Sequence, residues 1–327
     1  MASLAEANRD HVLGYGDDVY TGEAFSGLRS IFGEEAEIFL VTTGTGANAL
    51  ALKSLLDPFQ GVLCPETAHL HVHECAAPEA WAGCKLLLCP SRQGKVDSDD
   101  LRERCVGKGD VHHVQPAAVS ISQATECGTV YTPEELRKIC EWAHGEGLLV
   151  HLDGARLCNA AVSLDTGLRE ISRDAGVDVL SLGFTKNGAL CAEAVLFFDP
   201  RLAGKVPFLR KQGGQLLSKM RFFSVQFSAL LKGNLWAELA SHANAMARLL
   251  ADGIGNLEGV KLLYPVETNG VFVEVASEVS ERLSQRYPFV CLDETCTKCR
   301  WMASFDTTEQ DVHRFIEALK EGLAFAQ

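Results

Sequence analysis

Two short apolar runs constrain this chain most. Leu148–Leu152 leads into Asp153-Gly154-Ala155-Arg156, and Val179–Gly183 leads into Phe184-Thr185-Lys186. Runs this short and this apolar read as strands covered on both faces. Neighbouring parallel strands need a crossover between them, and the intervening stretch is long enough for a helix. In such sheets ligands gather at the carboxyl ends of the strands, where both Asp153 and Lys186 fall.

The rest of the first two-thirds repeats the pattern. Glu37–Val41, Val62–Cys64, Lys85–Cys89 and Ala117–Ser122 read as strands, and Gly44–Leu56 reads as a helix after a Thr-Gly turn. Thr132 can cap a helix, Pro133 suits its first turn, and Glu135 completes a capping box. That helix runs to about His144, and Gly145–Gly147 stops it. The expected architecture is α/β, with a mostly parallel central sheet flanked by helices.

From about Ser241 the pattern changes. A long helix over Trp236–Gly253 leads into a strand at Gly270–Val275, a helix at Ser277–Gln285, the run Arg300–Phe305 and a final amphipathic helix, Thr308–Phe325. The expected organisation is a large ligand-binding domain over 1–240, with a partial helix in 1–13, and a smaller C-terminal α+β domain over 241–327. A chain of 327 residues supports both cores.

A net charge of −13 argues against non-specific binding to nucleic acid or an anionic membrane. No apolar run reaches the roughly 18–20 residues that span a bilayer, and the N-terminus carries no secretory signal pattern, so a cytoplasmic location is expected. The 12 cysteines are scattered, many of them (Cys89, Cys140, Cys158, Cys191, Cys291) inside apolar runs, and are expected to be reduced thiols. Cys296-Thr297-Lys298-Cys299 is a single CxxC without a second pair at zinc-finger spacing, so coincidence outweighs a zinc or redox role.

The carboxylate and the lysine together fit pyridoxal 5′-phosphate (PLP). Such a cofactor needs a lysine to hold it covalently and an acid to keep its pyridine nitrogen protonated, which makes the ring an electron sink. Thr42-Thr43-Gly44-Thr45-Gly46-Ala47-Asn48 follows a strand and opens a helix, so its free N–H groups and dipole suit the cofactor phosphate. A Walker ending is absent. His69-Leu70-His71-Val72-His73 would share a face on a strand and could bind metal there; a single ring, His69, stacked on the pyridine explains the position more simply, and no metal is expected.

These motifs, in order, resemble the threonine aldolase branch of the β-eliminating lyase family, PLP enzymes of the aspartate-aminotransferase fold. The matching pieces are Gly16-Asp17-Asp18-Val19-Tyr20, the Thr-Gly-Thr loop at 43–48, Ala68-His69, Asp153-Gly154-Ala155-Arg156, Thr185-Lys186, Lys211-Gln212-Gly213-Gly214 and Arg300. They run through nearly the whole chain. The resemblance implies the PLP-dependent transferase fold and a role for each residue. Lys186 would hold the cofactor, Asp153 would pair with the pyridine nitrogen and Arg156 would face the phenolic oxygen. Gly44 and Thr45 would bind phosphate, Lys219 would reach in from a neighbouring subunit and His69 would stack on the ring. Arg300 would take the substrate carboxylate, and Tyr20, in a motif the family places at the subunit interface, would line the site. A homodimer or homotetramer acting on a small amino acid is implied.

Two departures stand out. Many members carry a histidine after the threonine of the segment beside the cofactor, contacting the substrate's β-hydroxyl. Here Glu126 stands there, and a carboxylate can accept that proton. The family also begins with a strand whose Ser-Asp motif helps bind the substrate carboxylate, and this chain starts inside the following helix. The expected activity is cleavage of a threonine-like β-hydroxy-α-amino acid to glycine and an aldehyde. The alternatives are another PLP-dependent β-eliminating lyase, a racemase, or a PLP-binding protein impaired at the carboxylate site.

Overall fold

The computed structural model describes residues 1–326. Seven strands form the large sheet: β1 (Glu37–Val41), β2 (Gln60–Pro65), β3 (Lys85–Cys89), β4 (Gln115–Ser122), β5 (Leu149–Gly154), β6 (Val179–Gly183) and β7 (Glu193–Phe197). Their order is β1-β7-β6-β5-β4-β2-β3. The pairs from β3 through β6 are parallel, and β7 runs antiparallel between β1 and β6. The expected mostly parallel sheet is thus found, but it is mixed: the antiparallel β7 is not foreseen from the sequence.

Local chemistry explains the flanking helices. Thr132 Oγ1 accepts from Glu135 N and a Glu135 carboxylate oxygen accepts from Thr132 N, so both halves of the capping box close ahead of helix Pro133–Gly145. Such a cap contributes about 1 kcal/mol. The helix buries Leu136, Ile139, Cys140 and Ala143, positions at helical spacing, against the sheet. Every residue of β6 and β7 is buried, as expected of strands covered on both faces.

A second sheet lies toward the C-terminus. It comprises β8 (Lys261–Leu262), β9 (Gly270–Glu274), β10 (Val290–Cys291) and β11 (Lys298–Met302), in the order β10-β11-β9-β8 and antiparallel throughout. Helices Leu235–Ile254, Ser277–Ser284 and Glu309–Ala326 lie against it, and their apolar faces share a core with Val271, Val273 and Trp301. The helix Leu235–Ile254 runs straight through residue 240. Among the described residues, no helix is long and apolar enough to cross a membrane.

One expectation about the cysteines fails. Cys291 and Cys296 are joined as a disulfide, and Cys291 is exposed instead of buried in an apolar run. The cause is tertiary: the turn between β10 and β11 folds Cys296 back onto Cys291. Cys89, Cys140 and Cys158 are buried free thiols, as expected, and Cys191 is half-buried.

Candidate active site

The carboxyl ends of β4, β5 and β6 meet the start of helix Gly44–Leu55. Asp153, at the end of β5, is buried. Its Oδ1 accepts from Ala155 N at 3.0 Å and its Oδ2 from Asn48 Nδ2 at 2.9 Å. The same Asn48 amide donates to Glu74 Oε1 at 2.8 Å, and that oxygen also lies 2.8 Å from His69 Nδ1. A continuous polar chain therefore runs His69–Glu74–Asn48–Asp153. Within it Asn48 Oδ1 and Glu74 Oε2 are buried without a partner. The Glu74 carboxylate holds the His69 imidazole above its ordinary pKa, against the opposing effect of burial.

The three imidazoles do not share a strand. They occupy the short helix His69–Val72 and its end, His71 and His73 are exposed, and only His69 turns to the acids. The strand-borne metal arrangement is therefore absent from these residues.

Lys186 sits in a tight turn, Thr185–Asn187, just beyond β6. Thr185 Oγ1 accepts from Ala192 N at 3.0 Å, and Asn187 Nδ2 donates to Trp236 O at 2.8 Å. Gly188 follows with φ of 101°, a conformation that side-chain-bearing residues rarely adopt. The turn is thus pinned on both sides while the lysine itself stays exposed. Its ammonium makes no hydrogen bond to a described residue. Crowding by protein atoms, and next the Arg156 charge, push its pKa below the ordinary lysine value; Asp153, Glu126 and Glu193 pull the other way. An amine with a lowered pKa is a better nucleophile near neutral pH.

The helix start shows the expected cradle. Thr43 caps the helix, its Oγ1 accepting from Gly46 N at 3.0 Å and its carbonyl from Ala47 N at 2.9 Å. The N–H groups of Gly44 and Thr45 lie in the first turn, where a helix has no internal partner for them. A Cβ on Gly46 would stand 2.7 Å from the Gln215 side chain, whose Oε1 accepts from Thr42 N at 3.0 Å and Thr42 Oγ1 at 2.6 Å. Buried Glu193 flanks this end, and burial pushes its pKa up to about 7.

Arg300 comes from β11 and reaches a small cavity that Thr125, Glu126 and Arg156 also line. Its Nη1 lies 3.8 Å from Glu126 Oε2, and its Nε is buried without a partner. Burial, then Arg156, push its pKa down, and Glu126 opposes this. Five of the predicted residues (Lys186, Asp153, Arg156, Glu126 and Arg300) thus act on one another electrostatically, and His69 joins them through Glu74. Tyr20 and Lys219 are not brought there within this chain. The Tyr20 hydroxyl donates to Glu6 O at 3.4 Å, and Lys219 is exposed in a surface cleft with Val12, Leu13 and Tyr15. Sequence reasoning missed Asn48 as an Asp153 partner, and missed Glu74, Glu193 and Gln215 altogether. Only the position of Asn48, inside the Thr-Gly loop motif, offered a signal.

His151, two residues before Asp153 on the same face of β5, is fully buried between Ser120 Oγ (2.8 Å from Nδ1) and Ser181 Oγ (2.9 Å from Nε2). Burial lowers its pKa to about 4. The unfolded chain takes up a proton near pH 6.5 and the folded one does not, so stability falls as pH drops from about 6.5 to about 4. The expected loss is on the order of 3 kcal/mol. Denaturant midpoints at a series of pH values check it: His151→Gln should flatten the curve across that window, and an unchanged slope would refute the assignment.

The chain matches the model of the family described as beta-eliminating lyase over residues 1–278. It is 41% identical over 325 residues to a low specificity L-threonine aldolase of Pseudomonas aeruginosa, covering 98% of this chain and 92% of that protein. An alanine racemase of Cochliobolus carbonum, TOXG, is 29% identical over 278 residues, 80% of this chain and 69% of its own. Among solved structures, the threonine aldolase of Leishmania major superposes with a TM-score of 0.91 at 31% identity, covering 97% of this chain and 94% of the other.

Proposed function

The chain belongs to the beta-eliminating lyase family, and from that premise we propose that it is a PLP-dependent aldolase cleaving a threonine-like β-hydroxy-α-amino acid to glycine and an aldehyde. The observation that carries the reading is a lysine of lowered pKa in the turn after β6, within electrostatic reach of the buried, doubly hydrogen-bonded Asp153 at the end of neighbouring β5. The residues fit the cofactor. Asp153 is a carboxylate for the pyridinium, the first turn at Gly44 and Thr45 offers unused N–H donors for the phosphate, and Arg156 supplies a cation for the phenolic oxygen. When bound, PLP supplies an electron sink for the bond that breaks at the substrate's α-carbon.

The protein's own groups supply the rest. Lys186 would anchor the cofactor, and Asp153 would keep its ring nitrogen charged. His69, held by Glu74 through its Nδ1, would stack on the ring. Arg300 takes the substrate carboxylate with the planar fork that suits it, its orphaned Nε offering a further donor. Glu126, already near Arg300, accepts the proton of the β-hydroxyl. Tyr20 and Lys219 belong to a site shared between subunits. A homodimer or homotetramer is supported by the exposed apolar side chains of Val12, Leu13 and Tyr15, which line the Lys219 cleft. The proposed enzyme is divided at 240/241 and is cytoplasmic.

Product analysis tests it. Purified protein with PLP and L-threonine should release glycine and acetaldehyde in equal amounts. Glu126→Gln should keep the bound cofactor's visible absorption but lower kcat about 100-fold, the usual worth of a general base. The likeness to an alanine racemase favours a second reading at the same α-carbon. A D-isomer as product would establish that reading, and a keto acid with ammonia would indicate elimination; either would overturn cleavage.

A further inference from the structure

The face of the small sheet opposite Arg300 carries a sulfur cluster. Along β11 the burial alternates, so Cys299 and Trp301 point into the helix-covered core while Arg300 points the other way. The hairpin register sets Cys291 directly across from Cys299, and Cys296 stands in the turn between them. The three Sγ atoms lie within 4.8 Å of one another. Cys299 is fully buried, its Sγ 3.3 Å from Ser280 Oγ and 3.5 Å from Cys296 O; Cys296 is half-buried and Cys291 exposed.

The turn does not depend on the sulfurs for its shape. Asp293 accepts from Thr297 N at 2.8 Å, Thr297 Oγ1 at 2.6 Å and Lys298 N at 3.3 Å, so the loop is tied by its own carboxylate. Breaking the Cys291–Cys296 bond therefore leaves three thiols gathered on a preformed loop. Thiolates around a tetrahedral d10 ion, at about 2.3 Å from it, stand roughly 3.8 Å apart, within the observed spread. Thiolate ligands select soft cations over magnesium or calcium.

We propose that Cys291, Cys296 and Cys299, once the disulfide is reduced, form a three-thiolate site for a thiophilic d10 cation of the zinc and cadmium class. The exposed side at Cys291 leaves the fourth position open to water. Reduction takes two electrons and two protons from a dithiol, or two electrons from a phosphine and two protons from the water that oxidises it to the phosphine oxide; either way the Cys291–Cys296 bond is cleaved and two thiols remain. Metal binding then displaces the three thiol protons and forms three metal–sulfur bonds. Oxidation of Cys291 and Cys296 closes the site, so occupancy follows the thiol state. The CxxC read in the sequence is two-thirds of this site. The third sulfur arrives only through the strand register.

Cadmium titration of the full-length protein tests the proposal. Protein reduced with a phosphine and freed of reductant and metal should bind one Cd²⁺ per chain and show a thiolate-to-cadmium charge-transfer band in the ultraviolet. Cys299→Ser should weaken binding by more than the roughly tenfold that an outer-shell partner supplies. Cys291→Ser, a surface change that spares the core, should do likewise. Unreduced protein should show no such band, and Cys75→Ser, altering a separate exposed thiol, should bind like the parent. Failure of the reduced parent to take up cadmium, or unchanged binding in both Cys299→Ser and Cys291→Ser, would overturn the site. Circular dichroism and the bound cofactor's visible absorption verify that each variant is folded.

Discussion

Lys186→Ala is expected to fold normally, stay colourless after incubation with PLP, and lose threonine cleavage by about 10⁴-fold or more, the scale seen when a covalent catalytic group is removed. The structure separates the chemical loss from a folding loss. The lysine makes no hydrogen bond within the described chain. The turn that carries it is held instead by Thr185, Asn187 and Gly188. Truncation removes the unfavourable influence of Arg156 together with the favourable ones of Asp153, Glu126 and Glu193, so the melting temperature of the cofactor-free protein should change little. Visible absorption spectra of parent and variant, each taken with PLP and then with glycine, give the answer. A variant that keeps the parent's band and its response to glycine would remove Lys186 from the anchoring role.

Asp153→Asn is expected to behave differently: cofactor stays bound, but turnover falls about 10³-fold, near the upper end for removing one preorganised electrostatic group. The substitution is nearly isosteric, so Lys186 and the helix start still hold the ring. What is lost is the negative charge that keeps the ring nitrogen protonated. A second cost is local. Two donors, Asn48 Nδ2 and Ala155 N, converge on the two oxygens of Asp153. An amide satisfies one of them and turns its own NH₂ toward the other, and a buried donor left unpaired costs about 1–3 kcal/mol. A modest fall in thermal midpoint should therefore accompany the loss of activity. Steady-state kinetics beside the absorption spectrum decide the matter: retained turnover would show that another group protonates the ring.

Much of the large sheet could be read from local pattern. The strand Lys85–Cys89 and the capped helix after Thr132 need only apolar runs and cap chemistry that neighbours in sequence supply. The antiparallel β7 could not be oriented, because Glu193–Phe197 is as apolar as its parallel neighbours and strand direction leaves no mark on composition. The site divides similarly. Asp153, Lys186, Arg156 and the Gly44–Thr45 turn stand at strand ends or a helix start, where punctuation reveals them. Glu74 was hidden in a histidine-rich stretch, and Asn48, read only as part of a helix-opening loop, gave no sign of its partner. Their significance lies in a contact spanning 26 residues and another spanning 105. Cys291 was similarly placed among buried apolar positions, since only the hairpin register discloses its neighbours.

The amide of Asn48 joins two acids that would otherwise face each other as a repelling pair. It follows that Asn48, Glu74 and Asp153 form one mutational unit. A substitution tolerated or harmful at one of them says little about its effect once another has changed, because residues in a shared network combine non-additively. Anyone reshaping this cleft for new substrates would do better to vary the three together, or leave all three fixed and diversify around Glu126 and Arg300.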